Sequence, residues 1–195
     1  MGRKMPLSME LTSLQAALLF CRLPNLGPRS AKKLIDECGS AKNIPQEESS
    51  KLLNVNGIGQ SYLAGISQWK SVLPQLKKEE KFLQKKKSTP FVYGQKDYPI
   101  TLAHINDPPP VFFQKGTVNW ENKRVISIVG TRKPTARGIA FCQQLIEEIS
   151  PYSPLIVSGF ARGIDIVAHR KALEMGLETV AVIAHAYDQW YPKEH

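Results

Sequence analysis

The sequence predicts an α/β protein built on a parallel sheet, with a small all-helical domain in front of it. Two observations carry this. Between Val125 and Asp188, three apolar runs (VISIV, LIV and TVAVIA) each lead straight into a turn. The first two of those turns hold glycine and pass into helical patterns. Upstream, residues 11–88 show helical periodicity instead, interrupted by glycine turns. Short β-branched runs suit buried parallel strands, and their alternation with helices is the pattern of a sheet with crossover helices.

In chain order, residues 11–21 place Leu11, Leu14, Leu18 and Cys21 at helical spacing with Ala17 beside them. The turn Pro24-Asn25-Leu26-Gly27 feeds a second helix with Ala31, Leu34 and Ile35 on its apolar face. Pro28 suits its first turn, where a missing N–H leaves no bond unmade. Residues 55–66 repeat the plan: Gly57-Ile58-Gly59, then Leu63 and Ile66. These stretches resemble the helix-hairpin-helix module, in which a Gly-apolar-Gly turn brings backbone N–H groups to a DNA phosphate. Asn25 stands where the first copy would have its leading glycine. The same pattern also suits a helical bundle that touches no DNA.

Residues 72–87 read as a charged helix with Leu73, Leu76, Phe82 and Leu83 inside. Lys85, Lys86 and Lys87 fall in its last turn, where cations suit the helix dipole, a reading favoured over a dedicated DNA patch. Ser88-Thr89-Pro90 ends it and opens a linker. Phe91–Tyr93 and Val111–Phe113 read as short strands, with one helical turn at Leu102 and Ile105 between them. Asp97, His104 and Asp107 form no convincing metal set, because both aspartates occupy turn positions that the residue favours for local bonding.

Charge is unevenly placed. Residues 1–90 hold 15 Lys/Arg against 7 Asp/Glu, an excess of +8, while residues 91–195 hold 11 against 10, an excess of +1. A basic segment beside a near-neutral one fits a polyanion such as nucleic acid, and equally a solvated lysine surface. The three cysteines, Cys21, Cys38 and Cys142, match no zinc spacing. Cys21 and Cys142 sit in apolar helical patterns and are expected in the core, so a reduced, cytoplasmic setting fits. Arg3, Lys4 and the apolar Ala16–Cys21 mimic an export signal weakly, but Glu10 and Gln15 interrupt it. No apolar run approaches a membrane span.

The turns carry the chemistry. In an open parallel sheet they lie along the carboxyl edge, where ligands bind. After the first strand come Gly130, Thr131 and Arg132. The glycine admits a sharp turn and close approach, and the arginine offers a planar fork matched to phosphate. The following helix, residues 137–149, turns Ile139, Cys142, Leu145, Ile146 and Ile149 to the sheet. The second turn is Ser158-Gly159-Phe160-Ala161-Arg162-Gly163. Its glycines are four apart, which departs from the dinucleotide fingerprint. Asp165 and His169, one helical turn apart, lack a nucleophile partner and read as structural. Phe160 suits either base stacking or burial under the sheet. The third turn has His185, Ala186, Tyr187 and Asp188; His185 reads as a turn residue rather than a metal ligand.

Taken in order, YPITLAHINDPPPVFFQKG, SIVGTRKPTARG, VSGFARGIDIVAHRKAL and TVAVIAHAYDQWYPKEH resemble the DNA-processing protein A family (DprA, or Smf) from about Asp97 to His195. The resemblance implies a Rossmann-like parallel sheet with helices on both faces (residues 89–195), preceded by a small helix-hairpin-helix, SAM-like domain (residues 1–88). It implies that Gly130, Thr131, Arg132, Ser158, Gly159, Arg162 and Gly163 line a basic pocket holding single-stranded DNA by its phosphates. It further implies a non-enzymatic recombination mediator active in natural transformation or repair. Such a protein protects single strands, loads a RecA-type recombinase, forms a homodimer through the sheet domain, and uses no cofactor or metal. The family usually has glycine just after the third strand, where His185 and Ala186 stand, so this turn lacks the glycine that admits close backbone approach of a ligand. Tyr191, Pro192 and His195 belong to the motif as architecture. The sheet is expected to be incomplete at its C-terminal side, leaving apolar strand edges and helix faces uncovered. Two other readings use the same features: a nucleotide or nucleoside-phosphate hydrolase on a related fold, and a nonspecific duplex DNA binder working through the glycine hairpins.

Overall fold

The computed structural model describes residues 11–24, 26–118, 124–186, 189 and 192. Of the residues singled out above, Arg3, Lys4, Glu10, Asn25, Tyr187, Asp188, Tyr191 and His195 lie outside the described residues. The chain forms two compact units, Met1–Thr117 and Val118–His195.

The first unit is built around α1 (Ser13–Phe20), which is buried from Gln15 through Phe20. Thr12 caps it in a reciprocal box: its hydroxyl accepts the Gln15 N–H at 3.1 Å, and the Gln15 side-chain oxygen accepts the Thr12 N–H at 3.2 Å. The buried Gln15 amide then donates to Glu80 at 2.8 Å, and Arg22 pairs with Glu79, so α1 is tied to α5 (Trp69–Lys85) at two points. Cys21, expected inside, is exposed: the helix ends at Phe20 and Cys21 is its cap. Next, α2 (Pro28–Cys38) begins with Pro28 behind Gly27. A short α3 (Ser49–Leu53), not anticipated from the sequence, buries Leu52. The fourth helix, α4 (Gln60–Ser67), is capped by Gly59 and meets α5 at Gln68.

Trp69, Leu76 and Leu83 form the buried row of α5. Phe82, expected in that row, is 38 % exposed, with the Lys86 ammonium 5.5 Å from its ring. One residue's displacement around a helix is 100°, enough to carry Phe82 off the face that Leu83 shares with Leu76. The helix closes through Lys87 in the left-handed region (φ 52°), with the Ser88 N–H donating to the Leu83 carbonyl.

The compact units divide near residue 117, while the sequence places a domain boundary after residue 88. The reason is packing. Strands β1 (Thr89–Val92) and β2 (Val111–Gln114) pair antiparallel, with α6 (Ile100–Ala103) between them. Val92, Tyr93, Tyr98 and Val111 join the same core as α1, α2 and α5. Phe91 and Phe112 stack across the pair at 4.9 Å. Asp97, His104 and Asp107 all sit at exposed non-helical positions.

The second unit runs β3 (Val125–Ser127), α7 (Ala136–Ile149), β4 (Leu155–Ser158), α8 (Ile164–Glu174), β5 (Thr179–Ala181). The strands are parallel in the order β3-β4-β5. Central β4 is the apolar spine, with Leu155 and Ile156 fully buried. Ile128, Cys142, Ile146, Ile156, Ala168, Ala172 and Leu177 form one core between the sheet and both helices. Two successive crossovers of the same hand and direction put α7 and α8 on one face, and the two helices pack on each other. Among the described residues, then, the helices cover one face rather than two. The other face carries the alternate residues, and there Val125, Val129 and Val182 are 50 %, 79 % and 63 % exposed. No helix among the described residues is long and apolar enough to cross a membrane.

Candidate functional site

Parallel strands deliver their following turns to one edge, and here the turns after β3 and β4 are packed against each other. The Ile164 N–H donates to the Thr131 carbonyl at 3.2 Å. Gly163 lies at φ 91°, and a Cβ there would overlap the Thr131 carbonyl oxygen and come within 2.8 Å of the Arg132 Cα. A Cβ on Gly130 would lie 2.6 Å from the Ile164 Cβ. Both glycines are therefore required by turn-on-turn contact, a tighter condition than the ligand approach anticipated for Gly130. The outcome is that Arg132 and Arg162, thirty positions apart in sequence, emerge exposed from one joined pair of turns.

The remaining residues divide by role. Thr131 is exposed, and its hydroxyl accepts the Lys133 N–H at 3.2 Å, shaping the first turn. Gly159 is exposed, and a Cβ there would lie 2.9 Å from the Asp165 carboxylate. Ser158 faces inward: the residue is 3 % exposed and its hydroxyl donates to the Ile128 carbonyl at 2.6 Å, tying β4 to β3. Phe160 is half-buried in the left-handed region at φ 59°, with its ring centroid 5.7 Å from that of His169. A bulky residue held there is uncommon, and such strain gathers at ligand loops.

Asp165 and His169 hold this arrangement in place. The Asp165 carboxylate accepts the Ala161 N–H at 3.2 Å, fastening the second turn to the first turn of α8. The Thr179 hydroxyl spends its proton on the Ile156 carbonyl at 2.9 Å. It must therefore accept from His169, whose Nδ1 lies 2.7 Å away. That requires a proton on Nδ1, and the Nε2 atom is buried without a partner among the described residues. Burial pushes the imidazole pKa below its ordinary value, with Asp165 opposing the shift. At the third turn, His185 Nδ1 lies 3.2 Å from the Ala186 carbonyl, a local contact that shapes the turn.

Two further cations, outside the motifs singled out in the sequence, belong to this stretch. Lys133 and Arg137 are both exposed, and Arg137 lies in the first turn of α7, behind the Thr135 cap. The signal was present in RKPTAR, which carries three cations and no acid in six residues.

Residues 89–195 match the model of a family described as DNA recombination-mediator protein A. The chain belongs to the DNA recombination-mediator protein A family. The match covers both exposed arginines and both glycine turns. Among relatives of this family, the chain is 43 % identical over 103 residues to the DNA processing protein DprA of Bacillus subtilis, covering 52 % of this chain and 35 % of the relative. It is 28 % identical over 184 residues to protein Smf of Synechocystis, covering 91 % of this chain and 46 % of that protein. It is also similar to the X-ray structure of DNA processing protein A from Streptococcus pneumoniae, with TM-score 0.69 and 26 % identity over 95 % of this chain and 62 % of that one. The chain thus spans less than half the length of these two curated relatives.

Proposed function

We propose that this family member binds single-stranded DNA through the joined turns after β3 and β4, and acts as a recombination mediator. Arg132 and Arg162 take phosphates, the exposed backbone of Gly130, Thr131 and Gly159 admits the strand, and half-buried Gly163 holds the two turns together. Ser158 shapes the site from within. Phosphate contacts of this kind carry no base information, so the binding is sequence-tolerant and salt-sensitive. The protein works by binding rather than catalysis. In the cytoplasm it protects single strands, hands them to a RecA-type recombinase and acts as a homodimer. The observation that supports this most is the packing of Gly163 on Thr131 and Arg132, which presents two exposed arginines from separate turns at one sheet edge.

The test is equilibrium binding of a labelled oligothymidine to the wild type and to the Arg132→Ala/Arg162→Ala double variant. A charge-assisted bond is worth about 1.5–3 kcal/mol, so each arginine lost weakens binding roughly tenfold or more. Equal affinity would remove the assigned site. Release of free base from nucleoside monophosphates would favour the hydrolase reading, and a preference for duplex would favour the hairpin reading.

A further inference from the structure

The exposed side of α5 carries a single kind of charge. At 100° per residue, Lys70, Lys77, Lys78, Lys81 and Lys85 fall within an arc of about 100°, opposite the buried row of Trp69, Leu76 and Leu83. All five are exposed. Only Pro74 shares their arc, and no acid does. The helix has two acids, Glu79 and Glu80, and both are turned toward α1: Glu80 accepts from Gln15 at 2.8 Å, and Glu79 pairs with Arg22. At 1.5 Å per residue the lysine face is about 22 Å long.

This differs from an ordinary solvated helix, where both signs are interspersed. Lys77, Lys81 and Lys85 follow one another at i, i+4 spacing, and like charges so placed destabilise a helix. A polyanion laid along the face relieves that repulsion and releases its own counterions. Lysine suits the task, because its ammonium is a mobile point charge that follows a backbone without demanding a fixed geometry.

We infer that the lysine face of α5 is a second nucleic-acid contact, which takes the phosphate backbone of DNA independently of base sequence. The inference rests on the single-strand reading of the sheet edge only for the identity of the strand. It gives this protein two separate phosphate-binding surfaces, one in each compact unit.

The test is a salt titration of long-oligothymidine binding by three 195-residue proteins of matched purity. One is the wild type. One is Lys77→Gln/Lys81→Gln/Lys85→Gln. The third is a charge-matched control, Lys42→Gln/Lys96→Gln/Lys115→Gln, with its exposed lysines off the face. Each single-strand phosphate contact contributes about 0.7 to the slope of log affinity against log salt. The face variant is expected to lose about 2 from the slope while the control stays near the wild type, and all three should melt cooperatively. A face variant that tracks the control overturns the inference and leaves the arginine site standing. That is also the result expected if the face docks an acidic protein instead. If the wild type does not bind oligothymidine, the single-strand reading fails. The same titration on duplex then judges the face alone: a selective loss of slope supports it, and none overturns it.

Discussion

Gly163 is the residue on which the site turns. Its φ of 91° and its contact with Thr131 and Arg132 leave no room for a side chain. Alanine there adds backbone strain of about 1–3 kcal/mol to a steric overlap. Gly163→Ala is expected to lower unfolding free energy by ~3 kcal/mol and to separate the two turns, read as a fall in denaturation midpoint with weakened oligothymidine binding. An unchanged midpoint would show that the turns are not packed as described. His169 gives a pH prediction. Burial depresses its pKa, so the folded state favours the neutral ring, and the unfolded chain takes up more protons once the pH falls below about 6.5. Its contribution is complete above that value and is lost as pH falls through the folded pKa. His169→Gln is therefore expected to flatten the loss of melting temperature between about pH 7 and pH 5. An equally steep loss in the variant would remove His169 as its source.

At the scale of elements, most helices and all the strands were legible in the sequence, because apolar period and turn residues agree in them. Thr12 and Gln15 cap α1, and Gly27-Pro28 opens α2. β4 runs to Ser158, directly before its glycine turn, whereas β3 stops at Ser127, two residues short of the end of its apolar run at Val129. Three features were hidden. The five-residue α3 is too short for a period to show. The place of Phe82 depended on the exact phase of α5, which an apolar pair at 82–83 leaves open. The attachment of β1 and β2 to the helical unit is a long-range packing fact, decided by Phe91, Tyr93 and Val111 meeting the core around α1. At the site, the arginines and glycines were readable from composition and order. The inward bond of Ser158 and the relay from His169 through Thr179 to Ile156 were not, because each joins strands far apart in sequence. Ser158→Ala should accordingly cost stability, about 1–2 kcal/mol for the orphaned Ile128 carbonyl, while leaving the salt dependence of DNA binding intact. A changed salt slope with unchanged stability would instead make Ser158 a direct phosphate ligand.

Across the whole molecule, charge and apolar surface are divided between the two units. The first unit carries the lysine face of α5; the second carries the arginine edge and a sheet face bearing exposed Val125, Val129 and Val182. That valine face should bind a hydrophobic dye. Val129→Ser/Val182→Ser is expected to reduce dye fluorescence with a stability change within about 0.5 kcal/mol per site; undiminished fluorescence would place the dye elsewhere. The central claim is that two joined turns hold a single strand by its phosphates. It is tested most directly by the salt slope of oligothymidine affinity for the wild type and the Arg132→Ala/Arg162→Ala variant. With about 0.7 lost per phosphate contact on a single strand, the account predicts a slope shallower by about 1.4 in the variant. An identical slope and affinity in the two proteins would contradict it.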